Sequence, residues 1–304
     1  MNKTQIFTRN INIYSSKDMV WKTLLTAEFY EISWGASLST TWQKNMPIQF
    51  TGIWEDVAYM DKGVIKEHRE NNFLEFTYWS SFWEAEDVPE EYCNISYSVK
   101  QLDEYSCEFT ISQVGFGDQV HYDDTVELWN NTTKTLKYLS EKEELISIND
   151  TVFNELRSII KEMPEEKYNV ETINKWNPAQ IIEHIIIGNT GMKQFLMEVP
   201  YISDIPYDYN VQAIRDFMLN KHVKYQAPDF LLPAMKTYDK NEHLKLLLNL
   251  QAEINDSIVS LDFEAKCGAF DMQPFGFMSI YEWLNFSVFH IMRHKEQLES
   301  YSKS

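Results

Sequence analysis

Two histidines stand four residues apart near the end of the sequence, in the segment FHIMRH that contains His290 and His294. On a helix, residues four apart share one face, with Cβ atoms roughly 5–6 Å apart. Two imidazoles at this spacing can bind one ion through nitrogens at about 2.0–2.1 Å. Peptidases with an H-E-x-x-H motif use the same spacing, but Ile291 follows His290 here, so their general-base glutamate is missing. The pair therefore predicts either another kind of metal site or two polar residues on an ordinary surface helix.

A third histidine, His184, lies in the segment PAQIIEHIII, where isoleucines surround it. A histidine in so apolar a helix is expected to be buried, and a buried imidazole needs a partner. A hydroxyl or carbonyl group of a neighbouring residue would satisfy it. An ion shared with His290 and His294 is the simpler interpretation, because all three histidines are then explained together.

The second half of the chain has helical patterns almost throughout, which predicts an all-α antiparallel four-helix bundle over residues 146–304. Asn177 followed by Pro178 is a typical helix start, and Ser279 with Glu282 predicts a capping box at the start of the last helix. Three further polar residues of this half are predicted to face solvent: Glu183, His222 and His243.

The first half has a different order of patterns: a strand, a helix, several short strands rich in aromatic and β-branched residues, and then a helix from about 123 to 142. This order predicts an α+β domain over residues 1–145, with an antiparallel sheet and a long C-terminal helix. The charged segment EKEELISIND follows, and we expect a short connection between the two domains near residue 145.

The composition limits the classes of partner. Lys and Arg number 27 against 46 Asp and Glu, and neither half contains a basic block, so binding to nucleic acid or to an anionic membrane surface is disfavoured. A small molecule or a protein is the expected partner. Cys93, Cys107 and Cys267 are an odd number without paired spacing, which favours a reducing cytoplasm over a disulfide framework. No apolar run approaches the ~18 residues of a membrane span.

Residues from about 150 to 301 resemble the DinB-like family of four-helix bundles, which includes thiol-dependent transferases and isomerases. The segments WNPAQIIEH (176–184) and FGFMSIYEWLNFSVFHIMRHKEQ (275–297) carry the resemblance. It implies that His184, His290 and His294 bind a divalent ion, commonly Zn, Ni or Fe. Many members have a second adjacent histidine in the last motif, where this sequence has Arg293, and we assign no catalytic role to that residue. Related bundles often dimerise, so the resemblance also allows a homodimer.

Residues from about 5 to 143 resemble the START-like helix-grip (SRPBCC) superfamily, and within it the homologues of the activator of the ninety-kilodalton heat-shock protein's ATPase. The segments VWKTLLT, FTGIW, KGVIKEHRENNFLEFTYW and FTISQVGF carry this resemblance. It implies a curved sheet wrapped on a long helix, with an apolar cavity between them. Trp34, Trp54 and Trp79 are candidates to line that cavity for a hydrophobic ligand, and the alternative is that they fill the core.

Three functions follow from these features. The resemblance favours a metal-dependent thiol S-transferase or detoxification enzyme, in which a low-molecular-weight thiol attacks a small electrophile at the metal. A metal-dependent hydrolase would use the same site with water in place of the thiol. The third is a non-catalytic small-molecule-binding or stress-response protein, in which the metal is structural or absent.

Overall fold

Alternating apolar and polar residues build the sheet of the first half. The computed structural model describes residues 5–83, 85–117, 119–173, 175–201, 203–220, 222 and 226–302. Its strands are β1 (Ile6–Ile13), β2 (Ser37–Thr40), β3 (Pro47–Trp54), β4 (Val57–Arg69), β5 (Phe73–Tyr78), β6 (Cys93–Asp103) and β7 (Ser106–Val114). These strands form one sheet in the order β1-β7-β6-β5-β4-β3-β2, and every pair is antiparallel.

Three helices accompany this sheet: α1 (Lys17–Leu24), α2 (Ala27–Trp34) and the long helix α3 (Gln119–Glu162). The buried face of the sheet includes Phe109 and Ile111 of β7, which belong to one core with Trp129 of α3. The Trp129 Nε1–H donates to Oε1 of Gln113 at 2.8 Å, so the helix is held to the sheet by a buried polar contact as well as by apolar packing. The predicted antiparallel sheet with a long helix is therefore confirmed.

The connection expected near residue 145 is not a separate loop, because residues 119–162 form one continuous helix. The charged residues of that segment are accommodated in the helix: Glu141 is fully buried and pairs with Lys137, one turn away, at 2.6 Å. Leu145 and Val152 are buried and are spaced at helical intervals, so the pattern continues through the segment. By packing, the chain divides into two compact units, Met1–Glu144 and Leu145–Ser304.

The second unit is helical, as predicted. After α3 it contains α4 (Glu165–Tyr168), α5 (Pro178–Asn189), α6 (Met192–Leu196), α7 (Val211–Leu219), α8 (Lys240–Ser260) and α9 (Ile280–Ser302), with two short strands, β8 (Pro200–Tyr201) and β9 (Lys266–Cys267). Helix α9 packs against α5, α7 and α8, and side-chain hydrogen bonds link α8 to α3, as between Asn149 and Asn255 at 2.9 Å. None of the described helices is both long enough and apolar enough to cross a membrane.

Local signals fix where the two site-bearing helices begin. The Asn177 side chain accepts from the Gln180 N–H at 2.9 Å, and Pro178 is the first residue of α5, as predicted. At the start of α9, the Ser279 hydroxyl accepts from the Glu282 N–H at 3.0 Å and the Glu282 carboxylate accepts from the Ser279 N–H at 2.7 Å. The predicted capping box is therefore present, and it fixes where α9 begins.

Candidate metal centre

Three histidine rings converge where α5 packs against α9. His184 comes from α5, and His290 and His294 from successive turns of α9. The Nε2 atom of His290 lies 3.2 Å from Nε2 of His184 and 3.0 Å from Nε2 of His294. Among the described residues these three form a group of metal-ligand side chains whose donor atoms all lie within 4.8 Å of one another.

The Nδ1 atoms of His184 and His294 face carbonyl oxygens. Nδ1 of His184 is 2.9 Å from the carbonyl oxygen of Leu231, and Nδ1 of His294 is 3.1 Å from Oε1 of Gln297. A carbonyl oxygen only accepts, so both Nδ1 atoms carry the proton and donate it. In neutral rings, Nε2 of His184 and Nε2 of His294 then each present a lone pair towards the centre of the group.

The surroundings keep the three imidazoles neutral. Burial lowers the pKa of His184, and burial together with the neighbouring histidines and Arg293 lowers the pKa of His290 well below its usual value. Burial and His184 lower the pKa of His294 to about 4. At neutral pH all three rings are therefore neutral, each with one nitrogen that carries a lone pair, which is the form that binds metals.

These features fit a divalent cation. Nitrogens at about 2.0–2.1 Å from a tetrahedral ion lie about 3.3 Å apart, close to the two shorter Nε2–Nε2 distances. Nε2 of His290 faces the lone pairs of both other Nε2 atoms. If His290 carries its proton on Nε2, it can donate that proton to only one of them. Without a cation, at least one lone pair of a buried nitrogen therefore faces the group without a donor. A positive charge at the centre satisfies that lone pair.

The group opens onto a large cavity of the second unit. The cavity has a volume of about 1990 Å³, and its walls include all three histidines together with Trp176 and Phe286. His184 and His294 are buried, whereas His290 is partly exposed. A ligand in the cavity can therefore approach the group from the side of His290.

The three candidate tryptophans of the first unit lie in different environments. Trp34 packs against the core, with ring centroids 4.8 Å from Phe50 and 5.7 Å from Trp129, and its Nε1–H donates to Oγ1 of Thr132 at 2.9 Å. This packing agrees with the alternative that Trp34 fills the core. A hydrophobic ligand beside Trp34 stays a prediction.

Trp54 and Trp79 lie outside the described core of the first unit, and a ligand beside them stays a prediction. Trp54 is 63 % exposed, because β3 turns into β4 immediately after it through Glu55 and Asp56, beyond the buried part of the strand. Trp79 follows Tyr78, which packs against the core, so strand alternation directs Trp79 to the opposite face. There its ring stacks on Tyr92 at 6.5 Å.

The predicted surface position of His243 is wrong, because its side chain is only 3 % exposed. Its Nδ1 lies 2.5 Å from the Tyr168 hydroxyl and its Nε2 lies 3.2 Å from a carboxylate oxygen of Glu183. Glu183 is thus half-buried and paired, although a surface position was predicted for it. The spacing of His243 from the buried Leu247 and Leu250 is a helical signal that indicates this burial. His222 is exposed, as predicted.

Two family models match this chain, one in each half. Residues 149–298 match the model of the DinB superfamily, and residues 15–141 match the model of the Activator of Hsp90 ATPase homolog 1-like protein family. A search of curated proteins found no match.

Two solved structures that are similar to the first half each cover less than half of the chain. A protein from Cytophaga hutchinsonii, ChR145, is 24 % identical with a TM-score of 0.41, covering 47 % of this chain and 98 % of its own. The Aha1 dimer from Colwellia psychrerythraea is 13 % identical with a TM-score of 0.36, covering 44 % of this chain and 93 % of its own. The chain therefore combines, as its resemblances predicted, a first half that matches the Hsp90-ATPase-activator-like model with a second half that matches the DinB superfamily.

Proposed function

We propose that the second unit binds one divalent metal ion through His184, His290 and His294 and transfers a low-molecular-weight thiol to a small electrophile. The observation that carries the proposal is the convergence of three neutral imidazoles on the wall of an open cavity. Three nitrogen ligands leave at least one coordination position for a substrate, which is the arrangement of catalytic metal sites.

A bound divalent ion would supply Lewis acidity, lowering the pKa of a thiol or a water molecule so that its anion forms at neutral pH. The protein's own residues prepare the site for this. The Leu231 carbonyl and the Gln297 amide oxygen hold the Nδ1 protons, which directs Nε2 of His184 and His294 inwards. Such outer contacts fix the tautomer and the ring orientation of metal ligands. Neutral imidazole nitrogens suit Zn, Ni and Fe, the ions that we propose.

The cavity favours a catalytic over a structural ion. Ligand pockets usually occupy about 300–1,000 Å³, and this cavity is larger, at about 1990 Å³, so it has room for a thiol and an electrophile together. A structural site is expected to be closed by a fourth protein ligand. The group found among the described residues has three members and adjoins the cavity.

The thiol and water versions of the reaction can be separated in one experiment. Metal-loaded protein is incubated with cysteine or glutathione and two electrophiles, an alkyl halide and 1-chloro-2,4-dinitrobenzene, and the thioether and hydrolysis products are measured. We expect thioether formation above the uncatalysed rate in the wild type and in His222→Ala, and its loss in His290→Ala. Hydrolysis without thioether would favour the hydrolase, and neither product would favour a non-catalytic binding protein.

The first unit is proposed to bind a small hydrophobic molecule, by analogy with the family model that it matches. We also propose a cytoplasmic location, which is supported by Cys93, Cys107 and Cys267 being free and buried. The resemblance allows a homodimer, and light scattering of the purified protein would test that state directly.

A further inference from the structure

Aromatic rings border the histidine group on two sides. The ring of Trp176 lies 4.8 Å from that of His184, and the ring of Phe286 lies 6.2 Å from that of His290 with an angle of 17° between the planes. Both side chains are half-buried and both line the cavity. A molecule that reaches the partly exposed His290 therefore meets aromatic side chains.

The aromatic surface continues along the same wall beyond Phe286. Trp283 packs edge-to-face on Phe286 at 5.6 Å and on Phe195 at 5.1 Å, and Phe270 adjoins Trp283 at 6.4 Å. All of these side chains line the cavity. The charged residues of the lining are of both signs, so the walls do not select one ionic class: Glu171, Lys175, Lys236, Arg293 and Glu296.

We propose that the electrophile is a flat aromatic compound with a leaving group on its ring, and that Phe286 and Trp176 determine this preference. The inference rests on the proposed function, of which it specifies the substrate class. Offset-stacked and edge-to-face aromatic contacts add free energy beyond burial alone, which an aliphatic molecule of equal size cannot gain.

The reaction for such a substrate is a substitution on the ring. The thiol sulfur forms a bond to the ring carbon, and the bond from that carbon to the leaving group breaks. The leaving group departs as an anion with the bonding electron pair, and the thiol proton passes to water. The products are an aryl thioether, the anion and a proton, and no oxidant or reductant is consumed.

Binding can be tested apart from the reaction with 1,3-dinitrobenzene, which is flat and carries no leaving group, and with nitrocyclohexane as its aliphatic counterpart. Dissociation constants are measured by ligand-observed NMR on the full chain. We expect 1,3-dinitrobenzene to bind more tightly. Phe286→Leu and Trp176→Leu should each weaken its binding about 2- to 12-fold, the value of a lost aromatic contact, with little effect on nitrocyclohexane.

Two control variants keep the result interpretable. Phe277→Leu removes an exposed phenylalanine of the same unit that is not part of the cavity lining, and it should bind like the wild type. Trp176→Phe keeps a ring and should restore most of the affinity if Trp176→Leu is impaired by loss of the ring rather than by misfolding. Equal affinity for both ligands, or equal weakening by all three leucine variants, would overturn the inference.

The outcome is separable from that of the proposed function, because ligand binding and metal content are measured on the same protein. Metal binding without discrimination between the two ligands would refute the aromatic preference alone. Discrimination without metal binding would refute the proposed reaction and leave an aromatic-binding cavity.

Discussion

The start of α9 is held by a buried ion pair, and breaking that pair should loosen the helix that carries two of the three histidines. Lys266 of β9 and Glu282 of α9 are 2 % and 0 % exposed, and Nζ lies 3.3 Å from the carboxylate. The same carboxylate accepts from the backbone N–H groups of Ser279 and Asn210, both at 2.7 Å. Glu282 therefore joins the start of α9 to β9 and to the residue preceding α7.

Replacing Lys266 with methionine leaves the Glu282 charge buried without its cation. Removing one partner of a buried pair typically costs about 3–5 kcal/mol, because the remaining charge has lost its solvation and its partner. The backbone N–H groups of Ser279 and Asn210 still donate to the carboxylate, so we expect a loss of stability near the lower end of this range. The double variant Lys266→Met/Glu282→Gln should recover most of the stability, since no uncompensated charge then remains.

Hydrogen exchange of the α9 amides, followed by mass spectrometry, measures the stability of this helix separately from that of the first unit. In Lys266→Met, exchange should accelerate roughly 10²- to 10³-fold, which corresponds to the expected cost. Lys193→Met is the matched control, because its pair with Asp256 is 30 % and 61 % exposed and should contribute at most about 1 kcal/mol. Equal exchange in the two single variants, or no recovery in the double variant, would refute the role assigned to the pair.

Three further predictions concern the histidines. In metal-free protein, the pKa of His294 is about 4 in the folded chain and about 6.5 in the unfolded chain, so the unfolded chain binds the proton first as the pH falls. Lowering the pH from about 6.5 to 4 should therefore reduce the free energy of unfolding by about 3 kcal/mol through this residue. Urea unfolding across this range checks it, and His294→Gln should flatten the curve. Gln297→Leu removes the acceptor of the His294 Nδ1 proton and should weaken metal binding about 10- to 100-fold, measured by competition with a chelator, while Gln297→Glu should retain it. Tyr168→Phe leaves Nδ1 of the buried His243 without its hydroxyl partner and should cost about 1–3 kcal/mol in urea unfolding; an unchanged midpoint would show that water replaces it.

The position of the histidine group follows from local rules that the sequence displays. The four-residue spacing of His290 and His294 puts them on one helix face, the apolar flanks of His184 turn it inwards, and the caps at Asn177 and Ser279 fix where the two helices begin. The tautomers of the three histidines could not be predicted from the sequence. The Nδ1 protons of His184 and His294 depend on acceptors, and that of His184 is a backbone carbonyl 47 residues away in the chain, at Leu231.

The mistaken predictions share a physical reason, because each judged a residue by its sequence neighbours alone. Glu141 is charged, yet Lys137 pairs with it, and the helix continues where a connection was expected. His243 lies in a polar segment, but Tyr168 and Glu183 satisfy both of its ring nitrogens in the interior. Trp54 is aromatic and on a strand, yet it stands at the hairpin end where the sheet no longer has a buried face. The partners of His243 become visible only when the fold brings together segments 60 and 75 residues apart in the chain.

The most direct test of the metal centre is the metal content of untagged protein by mass spectrometry, after incubation with Zn, Ni and Fe and removal of unbound ions. We expect about one ion per chain in the wild type and in His222→Ala, whose exposed imidazole lies outside the group. His184→Ala and His290→Ala should each lose the ion, because the three rings act as one ligand set. Wild-type protein without an ion, or both variants retaining it, would contradict a shared metal site at His184, His290 and His294.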